Sequence, residues 1–332
     1  MRRATFSLAL LLLVVACSAS ESVGPPTTTA TAPATTAAPA TTTAVTTTAA
    51  PRPPGPTAAE LCGLVTSSAE PAAVASDSLT EISGIAVSRQ HEGLLWAHND
   101  SGSRARLFLV DGATGADLGA WPLDGASAFD WEDMAIGTGP DGTHLYAADF
   151  GDNFRFRRDI RIYRALEPTD VSTPMPLPAD EFIFIYPDGA TDAESLFIDP
   201  ANGDFIILSK SWDDGPTVIY RGAAGTETDT PTELERIGEV DLTGFNPLAT
   251  AADITVDARV IGLRTLDEVL LWDRPAGVDI GTAMSVAPCV APSIPEPQGE
   301  ALAFLPDGSG YVTISEGANP TIHRFTIARL AG

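Results

Sequence analysis

Residues 132–149 read EDMAIGTGPDGTHLYAAD: an acid, a short apolar run, a Gly/Pro/Asp turn, then a second apolar run. Pro, Asp and Gly supply a tight reversal, and the flanking Ile, Leu and Tyr favour a pleated, half-buried surface. The segment is therefore a hairpin led by a carboxylate. Its leading acid recurs, as Glu81 in EISGIAV, Glu194 in ESLFID, Asp253 in DITVD and Glu300 in EALAFL. With Glu132 these make five copies separated by 51, 62, 59 and 47 residues, a length that suits a four-stranded sheet unit.

The units share more than the acid. Second apolar runs follow the turns as LLWAH, HLYAAD, FIILSK, VIGLR and YVTISE, and third runs as RLFLVD, IRIYRA, TVIYRG, EVLLWD and TIHRFTI. Fourth runs are visible as DLGAWPL, EFIFIYP and LERIGEVDL. Helical periodicity is nearly absent, so the chain reads as all-β. Four-stranded repeats of this length predict a β-propeller, since a blade buries both faces only between neighbours in a closed ring. The expected count is five blades, with six as the alternative if a long unit hides a degenerate copy. The last unit runs out after three strands, and LCGLVTSS (residues 61–68) is expected to supply the fourth and close the ring. Cys62 would then lie on the closing strand and Cys289 near the end of the preceding blade, paired as a disulfide clasp in an oxidising compartment.

The ends of the chain point to export. Arg2 and Arg3 precede an apolar stretch, residues 6–15, that is too short for a membrane span. It ends in Val14-Val15-Ala16-Cys17, which resembles the lipobox of bacterial lipoproteins. The resemblance implies a signal peptide over residues 1–17, lipidation of Cys17 and anchoring to the outer face of the bacterial cell membrane; an ordinary secretory signal is the alternative. Residues 18–57 form a Thr/Ala/Pro-rich segment whose only charges are Glu21 and Arg52. It has too little apolar content to offset its ordering entropy and is expected to be a disordered tether. At about 3.1 Å per residue, it reaches on the order of 100 Å. Its threonines are candidate glycosylation sites, a hypothesis that intact-mass measurement of the native protein tests. The propeller is assigned to residues 58–332.

The net charge is −25. Nucleic acid and anionic lipid surfaces are poor partners for such a chain, because their phosphates are repelled; cations fit better. The membrane is expected as a partner through the lipid anchor only. A small-molecule or protein ligand is expected at the propeller axis, and the chain is expected to be a monomer.

First strands line a propeller's central channel, so the five leading acids would converge there. Crowded carboxylates cannot all stay ionised without compensation by a cation, basic side chains or protons. Oxygen ligands in a loose ring suit calcium. Zinc fits poorly, because the four histidines form no ligand-like pair and Cys62 and Cys289 are otherwise explained. A second polar position recurs near the end of the second strands: Asn99, Asp149, Lys210 and Glu316, with Arg264 in the compact fourth unit. The candidate metal ligands are Glu81, Glu132, Glu194, Asp253, Glu300, Asn99 and Asp149. The alternative is a salt-bridged plug in which Arg264 and Lys210, the one lysine of the chain, neutralise the acids. His98, Lys210 and Arg264 are the catalytic candidates. His98 reads either as a general base or as part of a loop hydrogen-bond network with Asn99 and Asp100. Asp149-Phe150-Gly151-Asp152-Asn153 alternates oxygen ligands but lacks the length and closing glutamate of an EF-hand.

The stretches SGIAVSRQHEGLLWAHNDSG, DWEDMAIG, DFGDN, IRIYRALEP and YPDGATDAESL resemble a family of secreted bacterial β-propeller lipoproteins without an established activity. The resemblance spans most of residues 79–332, and its most specific part runs from DWEDMAIG to DFGDN. More distantly the chain is similar to calcium-dependent phosphotriesterase, NHL-type and phytase-like esterase propellers. That similarity implies an axial calcium held by acids and an Asn, which map onto Glu81, Glu132, Glu194, Glu300 and Asn99. Lys210 and Arg264 depart from a pure oxygen ring. Two functions follow: a surface-tethered binding or scaffold propeller, or a calcium-dependent hydrolase of phosphoesters or carboxylic esters.

Overall fold

The first strands of the units, Ile82–Val87, Trp131–Gly139, Ala193–Ile198, Ala249–Ile254 and Gly299–Phe304, pack one against the next, and the last returns to the first. They enclose a central axis. This computed structural model describes residues 54–68, 71–212 and 215–327. The expected signal segment with Cys17 and nearly all of the expected tether lie outside the described residues.

Each first strand opens an antiparallel blade. The first blade continues with Leu94–Asn99, Arg106–Asp111 and Asp117–Asp124, and the second with Gly142–Asp149, Ile160–Leu166 and Leu177–Ile185. The third continues with Phe205–Ser209, Thr217–Gly222 and Glu235–Val240, and the fourth with Val260–Thr265, Val269–Asp273 and Cys289–Ala291. The last blade takes Gly310–Ser315 and Thr321–Ile327 from the end of the chain and Val65–Ser67 from its start. The ring is thus closed by the N-terminal strand, with Ala72–Ala73 paired further along the same partner.

Burial explains why the inner strands are mostly apolar while outer ones alternate. Every position of Ile82–Val87 and Ala193–Ile198 is buried, because neighbouring blades cover both faces. In contrast, Leu177–Ile185 buries roughly alternate residues. The apolar core is divided into layers between blades. One layer packs Trp96 and Trp121 of the first blade with Trp131 and Tyr163 of the second; another packs Phe182 and Phe184 of the second with Phe205 and Tyr220 of the third. At about 1.5–3 kcal/mol for each large apolar side chain buried, these layers are the main attraction holding the ring.

Two short helices interrupt the all-β pattern. Ala58–Leu64 is set by a capping box, in which Thr57 Oγ1 accepts from Glu60 N–H at 3.2 Å and Glu60 Oε2 accepts from Thr57 N–H at 2.8 Å. Cys62 therefore sits on this helix, just before the closing strand rather than on it. Its disulfide to Cys289, on the outermost strand of the fourth blade, clasps the closing segment across two blades. The second helix, Ile280–Met284, covers the apolar layer between the third and fourth blades.

Candidate metal-binding mouth

Every first strand makes its pair with the second strand through one β-bulge at the same place. It falls between Ile82 and Ile85, Trp131 and Met134, Ala193 and Ser195, Ala249 and Ala251, and Gly299 and Ala301. Aligning the blades on this bulge places Ser83, Glu132, Glu194, Thr250 and Glu300 in one row. Three of the five leading acids share that row. Glu81 lies two residues before it and Asp253 three residues beyond, so the five do not form one ring. The bulge adds a residue that the spacing of apolar runs does not reveal.

Two residues ahead of the row lies a second set: Glu81, Asp130, Asp192, Leu248 and Gln298. Residues after the second strands join it, because the backbone N–H groups of Asp100, Lys210, Leu266 and Glu316 bond to the carbonyls of Glu81, Asp192, Leu248 and Gln298. Together these form an acidic mouth above a buried throat of Glu132, Glu194, Glu300 and Lys210.

Within the mouth the acids differ in their partners. Lys210 Nζ donates to Glu194 Oε2, and its ammonium lies 5.1 Å from the Trp212 ring centre. Burial pulls the Lys210 pKa down, but the charges of Glu194, Glu300 and Glu132 outweigh it and hold the group above its ordinary value. Gln298 Nε2 donates to Glu300 Oε1 at 2.8 Å and also to Glu316 Oε2. Asp100, Asp130 and Glu132 each bring one carboxylate oxygen to within 4.8 Å of the other two. Among the ion pairs of the described residues, none involves these three. Burial, then the charge of Asp100, pushes Asp130 up to about 6. Burial, then Glu194, Asp100 and Asp130, pushes Glu132 well above the usual carboxylate range.

The crowding is built in. A Cβ on Gly151 would stand 2.1 Å from Glu132 Oε1 and 2.7 Å from Asp130 Oδ2, so only glycine lets the backbone pass behind these carboxylates. Three close carboxylates without an ion-pair partner among the described residues suit a hard cation of six to eight oxygen ligands, with water completing the shell. The donor set contains no nitrogen or sulfur and so fits calcium rather than zinc.

Asn99 and Asp149 occupy equivalent positions and act as braces. Asn99 Oδ1 accepts the N–H groups of Thr80 and Glu81 at 3.1 and 3.2 Å, and Asp149 accepts those of Phe129 and Asp130 at 3.1 and 3.2 Å. Asp149 is also paired with Arg157 at 2.8 Å. Each brace fixes the segment carrying a mouth acid. Lys210 and Arg264, grouped with them by sequence, belong to neighbouring registers.

The catalytic candidates occupy three separate environments. His98 is fully buried, with Nδ1 3.0 Å from the Asn99 carbonyl and its ring edge-on to Trp131. Burial pushes it down to about 4, so it is neutral near neutral pH. Arg264 is fully buried between the last two blades, donating to Glu296 Oε2 at 2.8 Å. Lys210 alone reaches the throat. Arg264 therefore neutralises Glu296, and of the proposed plug only the Lys210–Glu194 pair is present.

Sequence reasoning missed Asp100, Asp130, Asp133 and Asp192. The signal for two of them was the pattern Asp-x-Glu, present as Asp130-Trp131-Glu132 and Asp192-Ala193-Glu194. Asp133 is fully buried, and its carboxylate accepts from the N–H groups of Met134 and Leu196 at 2.8 Å and Ala252 at 3.0 Å. Asp253 does the same for Ile254 at 2.8 Å and Phe304 at 2.7 Å. The free edges of the inner strands turn N–H groups into the channel, and these two aspartates satisfy five of them.

No protein-family model matches the chain, and no curated protein matches it. Among solved structures, the WD40 repeats of RRP9 align with 10% sequence identity over 82% of this chain and 98% of that one, at a TM-score of 0.39. A likeness that distant carries no argument about the site. By its own strand order and closed ring of inner strands, the chain is a β-propeller.

Proposed function

We propose that the chain is a binding module of the bacterial cell surface, anchored through Cys17, held off the membrane by the residue 18–57 tether, and carrying a calcium ion in its axial mouth. Asp100, Asp130 and Glu132 would hold the metal, with Glu81 beside them. The observation that carries this reading is the approach of three carboxylates without an ion-pair partner among the described residues, which costs the fold unless a cation joins them. When bound, calcium would neutralise the mouth and offer open coordination positions to ligand oxygens. The hydrolase alternative has less support, because His98, Lys210 and Arg264 do not assemble around one point.

Calorimetry on chelator-treated protein tests the metal. Added calcium is expected to raise the melting temperature, and Glu132→Gln is expected to abolish that shift. A melting temperature unmoved by calcium removes the metal from the mouth.

A further inference from the structure

Four aromatic side chains stand exposed on the face that carries the mouth. Phe154 is 87% exposed, Phe156 61%, Phe129 57% and Trp212 51%. Phe129 precedes the first strand of the second blade, Phe154 and Phe156 follow its second strand, and Trp212 follows the second strand of the third blade. All four therefore rim the acids just described.

The rim is rigid. Asp152 accepts the N–H groups of Phe156 and Arg157 at 3.0 and 2.8 Å, and its carbonyl accepts from Arg155 N–H at 2.8 Å. Arg155 sits at φ 52°, a left-handed conformation uncommon for a residue other than glycine. Asp192 then ties this loop to the next blade: Oδ1 accepts Asp152 N–H at 2.9 Å and Oδ2 accepts the Trp212 indole N–H at 2.7 Å. A fold that clamps its backbone while leaving large rings in water is presenting them.

We infer that this rim and the acidic mouth inside it form a docking surface for a basic, apolar-flanked segment of another protein. Charge complementarity selects the occupant. Carboxylates and the faces of aromatic rings both attract cations, and the chain already uses these rings so, with Arg157 5.1 Å from the Phe129 ring centre and Lys210 over Trp212. Two of the nearby arginines are spent internally, Arg157 on Asp149 and Arg161 on Asp159 and Glu181, while Arg158 is exposed. The net charge of −25 steers a basic partner inward.

The described chain begins on the opposite face. Gly55 N–H bonds Asp257, in the turn between the first and second strands of the fourth blade, at 2.9 Å.

This deepens the binding-module reading by naming the partner class, and because calcium would neutralise the same acids it is tested without the metal. The test is isothermal calorimetry in chelator with three probes: a short peptide alternating Lys and Leu, its Glu/Leu counterpart, and phosphatidylglycerol vesicles. The Lys/Leu peptide alone is expected to bind, and the double substitution Phe154→Ser and Phe156→Ser to weaken it by about tenfold with the melting temperature unchanged. Arg158→Ser, which removes an exposed charge of the wrong sign from the same loop, is expected to tighten it. The proposal is overturned if no peptide binds, if the Phe substitutions leave affinity unchanged, or if the acidic peptide or vesicles bind through the same phenylalanines. A normal calcium shift with no peptide binding would remove this inference alone. Peptide binding with no calcium shift would remove the metal alone.

Discussion

Asp133, on the innermost strand of the second blade, accepts the backbone N–H of Ala252, on the innermost strand of the fourth, at 3.0 Å across the axis. The same carboxylate bonds Leu196 of the third blade. One buried side chain thus fastens three blades at the point where their strand edges face a channel instead of a partner strand.

Replacing Asp133 with Ala leaves the N–H groups of Met134, Leu196 and Ala252 without this acceptor. Each orphaned group costs about 1–3 kcal/mol, offset in part because a buried carboxylate is no longer desolvated. A net loss of about 3 kcal/mol is expected in urea unfolding. An unchanged midpoint would show that the aspartate is not a brace.

Lys210→Met removes the cation from Glu194, which is 3% exposed. Breaking a buried pair from one side typically costs about 3–5 kcal/mol, much of it the penalty of the charge left behind. Adding Glu194→Gln should recover a large part of the loss, as a double-mutant cycle by thermal unfolding will show. Additive losses would mean that the two residues do not act as a pair.

The acids of the axis carry a pH signature. Burial pushes Asp130 and Asp253 up to about 6 in the folded chain against an ordinary 3.8, and Glu132, Glu194 and Asp133 are raised well above their ordinary values for the same first reason. The folded chain therefore holds protons that the unfolded chain has released. The stabilisation is complete below the unfolded values and lost as pH rises through the folded ones. His98 acts oppositely, since its descent from 6.5 to about 4 removes stability as pH falls through that window. In chelator the melting temperature should rise as pH falls from about 6 toward about 4, the gain partly offset by His98, which titrates against it over an overlapping range. Calcium, which favours ionised carboxylates, should flatten the slope. A melting temperature that falls over this interval in chelator would contradict the burial of these acids.

The Cys62–Cys289 bond closes a sequence separation of 227 residues. In the chain-entropy model a loop of that size contributes on the order of 5 kcal/mol by restricting the unfolded state. Cys289→Ser should lower unfolding stability by up to about that amount, and reducing agent should do the same to the native protein while leaving the variant unmoved. Equal stability of the two forms without reductant would show that the clasp contributes nothing to closure.

The repeat was legible because strand-forming runs and Gly/Pro/Asp turns are local properties. EDMAIG, GPDGT and HLYAAD announce a hairpin wherever they stand, and five such hairpins need neighbours to cover both faces. The incomplete last unit even pointed to its closing partner, residues 61–68, though the capping box of Thr57 and Glu60 makes part of that segment helical. The site was less legible. Glu81 and Asp253 look like Glu132 in sequence, yet alignment of the blades on their shared bulge places them at other levels of the axis.

Local chemistry in the sequence determined an acidic all-β ring with carboxylates at the starts of its inner strands. Only the tertiary structure decided which carboxylates meet. Asp100, Asp130 and Glu132 come together because Gly151 leaves room behind them, Asp253 and Asp133 turn inward to satisfy strand edges, and Arg264 is taken by Glu296. Those outcomes depend on bulge register and on contacts between residues as many as 119 positions apart, as in the Asp133–Ala252 bond, which no local pattern encodes.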